Sequence, residues 1–185
     1  MAARNYYVAP LTPANYADGA AFTGLSLLDI SPTGPTGSQR FLGGYVAECG
    51  TVLRLRAMLS ITCTTGGTAT LTVGFYWGGI AGTSIAGAAG IATITGAAAW
   101  PFIMEYEGEF RAIGAGGSLV GSGKLYTPAS LTTFNTPIPI PQTAAARTIA
   151  VNTITNNPLT VGANWSSATG TPSITCNRFL AELVG

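Results

Sequence analysis

A two-residue alternation of apolar and polar side chains runs through residues 52–63, VLRLRAMLSITC. Successive side chains of a β-strand point to opposite faces, so this period predicts a strand with one buried face. The apolar positions are Leu53, Leu55, Ala57, Leu59 and Ile61, and the polar ones are Arg54, Arg56, Ser60 and Thr62. The stretch TATLTVGFYW repeats the alternation. Nothing in the chain has the 3.6-residue period of an amphipathic helix, and we therefore predict an all-β protein.

Further strands follow, separated by turns rich in Gly and Pro. We expect the TTGG turn to join the first two strands as a hairpin. The stretch TPIPIPQT must be extended but cannot pair centrally, because proline lacks the N–H donor. The stretch GGIAGTSIAGAAGIATITGAAA predicts a loop with one short strand. With SLVGSGKLYT, RTIAVNTIT, PLTVGANW and SITCNRFLAELVG, the set reaches about eight strands, which predicts a β-sandwich.

The first 44 residues differ in composition from the rest. Proline and glycine, as in SPTGPTGS, oppose a compact core, whereas a disordered linker would lack the aromatic residues and GLSLLDI. We predict an extended N-terminal arm over residues 1–44 and a sandwich domain over 45–185, with the arm lying ordered on a partner. The candidate partner-binding residues are Tyr6, Tyr7, Tyr16, Phe22, Leu27 and Leu28. The alternative is that this segment folds back and covers an edge of its own sandwich.

Charge is scarce. Charged residues form 8% of the chain, against about 25% in an ordinary soluble domain. A monomer so short of charge is poorly protected from self-association, so the composition favours a protein that works in an assembly. Eight basic residues and a net charge of +1 predict no nucleic-acid partner. Residues 57–104 are uncharged, but glycine and threonine interrupt every apolar run, so we expect no membrane partner.

Three cysteines, Cys49, Cys63 and Cys176, are too widely spaced for a zinc site and odd in number. The start of the chain has no apolar secretory segment. We therefore expect buried free thiols in a reducing compartment.

The octet MEYEGEFR holds Glu105, Glu107 and Glu109 at every second position. Alternation alone explains them as the solvated or interface face of a strand. A calcium site and a paired-carboxylate catalyst are the alternatives. Cross-strand pairing of this acidic row with Arg54 and Arg56 is a further expectation.

Few other residues or motifs indicate a catalytic or ligand-binding site. The chain has no histidine, which removes the commonest general base and metal ligand. The stretch GAGGSLVGSGKL fails the phosphate-loop pattern because Ser118 replaces the first glycine and Leu125 follows Lys124. Trp77, Trp100 and Trp165 fall on apolar faces, which favours core packing over a sugar-stacking platform. We expect no cofactor, no metal and no enzymatic activity.

The segments from Val52 to the end resemble a family of minor structural proteins of tailed bacteriophages. The resemblance is carried by VLRLRAMLSITCTTGGTATLTVGFYWGGIAGT, by WPFIMEYEGEFRAIGAGGSLVGSGKL and by RTIAVNTITNNPLTVGANWSSATGTPSITCNRFLAELVG. It implies a jelly-roll-like antiparallel β-sandwich, often trimeric, in the virion that is assembled in the bacterial cytoplasm.

The resulting hypothesis is a virion protein that decorates or cements a capsid by binding and bridging subunits of the major capsid protein. A minor tail or fibre protein, which would contact tail proteins, is the nearest alternative. A virion carbohydrate-binding module and a glycan-cleaving enzyme using Glu105 and Glu107 are alternatives of other classes.

Overall fold

The computed structural model describes residues 4–8, 15–17, 25–26, 39–41, 46, 48–63, 70–79, 82–92, 96–128, 135–142, 147–167 and 172–185. The strands are Arg4–Val8 (β1), Asn15–Ala17 (β2), Leu25–Ser26 (β3), Gln39–Phe41 (β4), Val52–Cys63 (β5), Thr70–Trp77 (β6), Thr83–Ala92 (β7), Ala97–Ala112 (β8), Gly117–Tyr126 (β9), Ile138–Ile140 (β10), Thr148–Val151 (β11), Asn157–Trp165 (β12) and Ser173–Val184 (β13). The described residues contain no α-helix.

The strands form two antiparallel sheets. The first sheet has the order β1-β13-β5-β8-β9-β10, and β2 and β11 pair in addition with β13 and β9. The second sheet has the order β3-β12-β6-β7, and β4 pairs with β12. The protein is therefore the predicted all-β sandwich.

The core fills the space between the two sheets. Along β5 the odd-numbered side chains from Leu53 to Cys63 are buried, as the alternation predicted. The largest fully buried side chains are Trp165, Phe75, Phe102, Phe110 and Phe179. Each such side chain stabilises the fold by about 1.5–3 kcal/mol through the removal of apolar surface from water. Trp77 and Trp165 are thus core residues, and Trp100 packs against the core from a half-buried position.

Two expectations about local structure are wrong. β5 and β6 do not form a hairpin: β5 pairs with β8 and β13, whereas β6 pairs with β7 and β12. Alternation shows which face of a strand is buried, and two buried faces can meet across a core as well as side by side. The Gly- and Ala-rich stretch contains a ten-residue strand, β7, in place of a loop with one short strand.

The edge position expected for the proline-rich stretch is confirmed. β10 contains Pro139 and pairs only with β9, at the margin of the first sheet. At the margin of a sheet, the missing N–H of proline does not cost a hydrogen bond between central strands.

The N-terminal segment contributes four short strands. β1 and β2 pair with β13, and β3 and β4 pair with β12. In its described part, the segment therefore pairs with its own sandwich, as the fold-back alternative predicted. The boundary at residue 44 and a partner-binding role stay predictions.

Candidate functional site

Most of the charged side chains lie on the outer face of the first sheet, which we call the charged face. It is built from the outward positions of β13, β5, β8 and β9, whose inward positions hold the core. Its charged members are Arg54, Arg56, Glu105, Glu107, Glu109, Arg111, Lys124, Arg178 and Glu182. The whole chain has only eight basic and seven acidic residues, so charge is concentrated here.

Strand register aligns these side chains in rows. One row runs through Leu180, Arg56, Glu105 and Lys124. The next row runs through Glu182, Arg54, Glu107 and Ser122. Because directly opposed residues of antiparallel strands share a face, opposite charges meet across β5 and β8.

Ion pairs confirm the predicted pairing of the acidic row with the two arginines. Nε of Arg54 lies 2.7 Å from Oε2 of Glu107, and Nε of Arg56 lies 3.2 Å from Oε1 of Glu105. Glu109 pairs with Arg111 of its own strand at 3.4 Å. The hydrogen bond to Glu107 raises the pKa of Arg54 above its ordinary value. The carboxylates thus lie on an exposed face, as alternation predicted.

A groove of about 430 Å³ opens in the middle of the charged face. Its charged lining consists of Arg54, Arg56, Lys124, Glu105, Glu107 and Glu182, and its other side chains include Ser122, Tyr126 and Leu180. Three cations and three carboxylates give the described residues of the lining no net charge. Within the described part of the chain, Lys124 forms no ion pair, because Glu105 beside it is engaged by Arg56.

The outward positions of β6, β7 and β12 in the second sheet form a contrasting surface, which we call the uncharged face; at its margin β4 brings one charged residue, Arg40, into register with Pro158. No residue of β6, β7 or β12 is charged. Gly162, Gly74 and Gly87 form a row across the three strands, next to a row of Thr160, Tyr76 and Ser84. Gly162 and Gly74 are buried and Gly87 is half-buried, so this row is largely covered in the structure and projects no side chain.

Three of the six sequence-predicted binding residues occur in described strands. Tyr6 and Tyr7 occur in β1, in register with Ala181 and Leu180 of β13. Tyr16 occurs in β2, in register with Ile174. Phe22, Leu27 and Leu28 lie outside the described residues.

The groove itself was missed in the sequence. Its strands are far apart along the chain, so no local motif marks it. The signal that was present is the alternation of Ser122, Lys124 and Tyr126 in β9, which places all three on one face.

The three cysteines are free, as expected. Cys63 and Cys176 are buried, but Cys49 is exposed, in contrast to the expectation. Among the residues that the structure describes, no three His, Cys, Asp or Glu side chains are grouped so as to hold a metal ion. The same residues include no helix of the length and apolarity needed to cross a bilayer.

Comparison with known proteins identifies no family for this chain. The chain matches no protein-family model and no curated protein. Among solved structures, it is similar to a chain in the structure of infectious bursal disease virus, Gx strain, with a TM-score of 0.43 and 14% identity. The similarity covers 100% of this chain but only 33% of that chain, so this protein spans about a third of its length.

Proposed function

We propose that this protein is a virion structural protein that decorates or cements a bacteriophage capsid by binding and bridging shell subunits. The observation that carries the proposal is the unequal distribution of charge between the two sheet faces. A solvated sandwich of this size would carry charge on both outer faces, whereas β6, β7 and β12 carry none. Such a face suits burial against a neighbouring subunit.

Binding and bridging is the mechanism. A protein that contacts two neighbouring shell subunits binds the assembled shell and not its separate parts. Its binding free energy therefore stabilises the assembled state by mass action. The major capsid protein is the proposed partner.

A jelly-roll-like connectivity is the finer proposal for the fold. The chain places β1 and β2 in the first sheet, β3 and β4 in the second, β5 in the first, and β6 and β7 in the second. It then returns to the first sheet with β8 and ends with β12 in the second and β13 in the first. Repeated crossing between two sheets is typical of jelly rolls, and β9, β10 and β11 extend one edge.

The proposed assembly is a homotrimer or another closed oligomer. The part of the uncharged face that meets water, which includes half-buried Tyr76, has no charge to oppose association with a second copy. Closed symmetry buries the same face in every copy and limits growth. The partner-binding role of Tyr6, Tyr7, Tyr16, Phe22, Leu27 and Leu28 belongs to the same proposal.

A minor tail or fibre protein is the alternative location. A virion carbohydrate-binding module is the second candidate, and the groove on the charged face favours it. We propose no catalysis, because Glu105 and Glu107 are each held by an arginine rather than poised as an acid and base. Release of reducing ends from a glycan, abolished by changing both glutamates to glutamine, would contradict this.

Immunogold electron microscopy tests the location. Particles are purified from the infected bacterial lysate that produces this chain and labelled with an antibody against it. Gold distributed over the shell supports decoration, and gold confined to the tail supports the alternative. Particles with neither gold nor the chain on a protein gel contradict a virion role.

A further inference from the structure

The groove on the charged face is an open concavity whose described lining residues carry no net charge. Its volume of about 430 Å³ lies within the range of about 300–1,000 Å³ that small-molecule sites occupy. Its wall combines three cationic and three anionic side chains with hydroxyl groups. We propose that it binds a neutral, hydroxyl-rich saccharide.

Charge balance selects the ligand class. An acidic ligand would be repelled by Glu105, Glu107 and Glu182 while it is attracted by the cations. A basic ligand would likewise be repelled by the cations of the lining while it is attracted by the carboxylates. A sugar hydroxyl both donates and accepts a hydrogen bond. Adjacent hydroxyls therefore match a wall where charged donors and charged acceptors alternate. Hydrogen bonds to charged groups are about twice as strong as neutral ones, which suits a weakly hydrophobic ligand.

The ion pairs hold this wall in place before a ligand arrives. In each pair the arginine uses its Nε atom, and a guanidinium group has further N–H donors. Lys124 and Ser122 add donors, and Lys124 has no carboxylate partner among the described residues. Pre-arranged side chains lose less conformational entropy on binding than free ones do.

The shape of the groove also fits a sugar. Ser122 is small and stands in a row with the longer Arg54 and Glu107, so the hollow opens at its position. Tyr126, half-buried, supplies an aromatic side chain to the lining. Aromatic rings pack well against the apolar C–H faces of pyranose rings while their polar edge stays wet.

The chain offers a matched pair of variants. The groove variant is Arg56→Gln with Glu105→Gln, which removes one exposed ion pair without changing net charge. The control is Glu109→Gln with Arg111→Gln, which removes the same kind of pair from β8 outside the groove lining. Ser122→Phe fills the hollow without altering charge.

The experiment is an array of neutral and acidic oligosaccharides, followed by calorimetric titration of the best neutral binder. We expect neutral glycans to be retained, and affinity to fall at least about tenfold in the groove variant and in Ser122→Phe. The control pair should stay within about twofold, and all variants should keep the melting temperature within about 3 °C.

Three results would overturn the inference. Retention of no glycan removes the site. Retention of acidic glycans alone, weakened by added salt, contradicts the ligand class. Neutral binding that survives both Ser122→Phe and the groove variant places binding elsewhere. The inference rests on the groove alone, so labelling of particles decides the virion role independently of it.

Discussion

At the scale of single residues, the Tyr106 side chain is the point of greatest constraint. It is buried, and its hydroxyl has no hydrogen-bond partner in the structure. The ring extends along two glycines: a Cβ added to Gly108 would lie 2.6 Å from Oη of Tyr106, and one added to Gly121 would lie 2.5 Å from it. These two positions need glycine for space. The pairing of Gly108 with Gly121 across β8 and β9 thus makes room for one large side chain.

Removing the hydroxyl and filling the space should have opposite effects. Tyr106→Phe should leave stability unchanged or raise it by about 1 kcal/mol, because it deletes a buried polar group that lacks a partner. Gly121→Ala should lower the melting temperature, since its Cβ would also meet Glu107 O at 2.4 Å, and backbone cannot yield as a side chain can. Thermal unfolding of both variants measures this. A Tyr106→Phe variant that melts well below the parent would mean that the hydroxyl has a partner.

Two buried acids predict alkaline instability. Burial raises the pKa of Cys176 to about 12, and burial likewise raises the pKa of Tyr106 above its ordinary value of 10.0. In the unfolded chain a cysteine loses its proton near 9.0, so above that pH unfolding releases protons that the folded state keeps. The stabilisation is complete below about pH 9 and falls as pH rises toward 12. We expect the denaturation midpoint in urea to fall over this window, and to fall less in Tyr106→Phe than in the parent.

At the scale of secondary structure, β7 shows how an edge strand is protected. Among the described strands it pairs with β6 alone, it has no charged residue and no proline, and its free edge would otherwise invite pairing with another chain. Its register with β6 shifts twice, which breaks the regular edge. The side chain of Gln142 covers the edge as well: its Oε1 accepts from Ala89 N at 3.0 Å, and its Nε2 donates to Ala89 O at 3.4 Å. One amide side chain thus replaces one residue of a neighbouring strand.

Removing this cover should open the edge. In Gln142→Ala we expect the amide of Ala89 to exchange its hydrogen at least about tenfold faster, and the protein to scatter more light on storage, since a free edge templates association. Gln142→Glu is the comparison variant, because it keeps an acceptor for the Ala89 N–H while replacing the donor to Ala89 O with a charged oxygen. Unchanged exchange at Ala89 in the alanine variant would show that the side chain does not protect the edge.

The same scale explains what the sequence could predict. β5 was predictable because arginine and leucine alternate with strong contrast, and its pairing with the glutamate row followed from opposite charge on two outward faces. β7 was not, because glycine and alanine differ too little in hydropathy and the register shifts interrupt the period. The pairing partner of each strand was also not predictable. The hairpin expectation failed because the hydrophobic period of a strand identifies its buried face but not the strand that it pairs with. The groove is formed by side chains of four strands in register, and no local sequence pattern predicts the register between strands that are distant in the chain.

At the scale of the whole molecule, the two outer faces are chemically distinct. The charged face carries the ion pairs of β5 and β8 and the groove, and the uncharged face has a glycine row. This difference is the basis of the proposed assembly, in which one face is buried against a neighbour and the other meets water. The proposed closed oligomer uses the uncharged face.

Adding a charge to each face separates these roles. Thr72 is half-buried in the middle strand of the uncharged face. A lysine at this position should destabilise the oligomer but not the monomer, because burying an unpaired charge in an interface is costly. We expect sedimentation to give a closed oligomer for the parent and a smaller species for Thr72→Lys. Met58→Lys, at an exposed position of the charged face, is the control and should sediment as the parent does. A parent chain that is monomeric both in solution and on the particle contradicts the oligomer.

Deleting residues 1–40 tests the N-terminal segment. Since β1 and β2 pair with β13, and β3 and β4 pair with β12, deletion uncovers an edge of each sheet. We expect the truncated protein to melt at a lower temperature and to associate, and thermal unfolding with light scattering checks this. An unchanged melting temperature together with lost retention on purified particles would establish the segment as an anchor instead.

The strand-by-strand alternation of sign on the charged face has a kinetic consequence. Arg54 on β5 stands between Glu107 of β8 and Glu182 of β13, and Glu105 of β8 stands between Arg56 of β5 and Lys124 of β9. Fields of neighbouring columns cancel within a few ångströms, well inside the Debye length of about 8 Å at physiological salt. Nothing approaching from solution is steered toward this surface, so encounter proceeds at the unassisted rate of about 10⁵–10⁷ M⁻¹ s⁻¹ whatever the ionic strength. Under the proposed function, occupancy on the shell would come from local abundance and slow dissociation, not from fast capture.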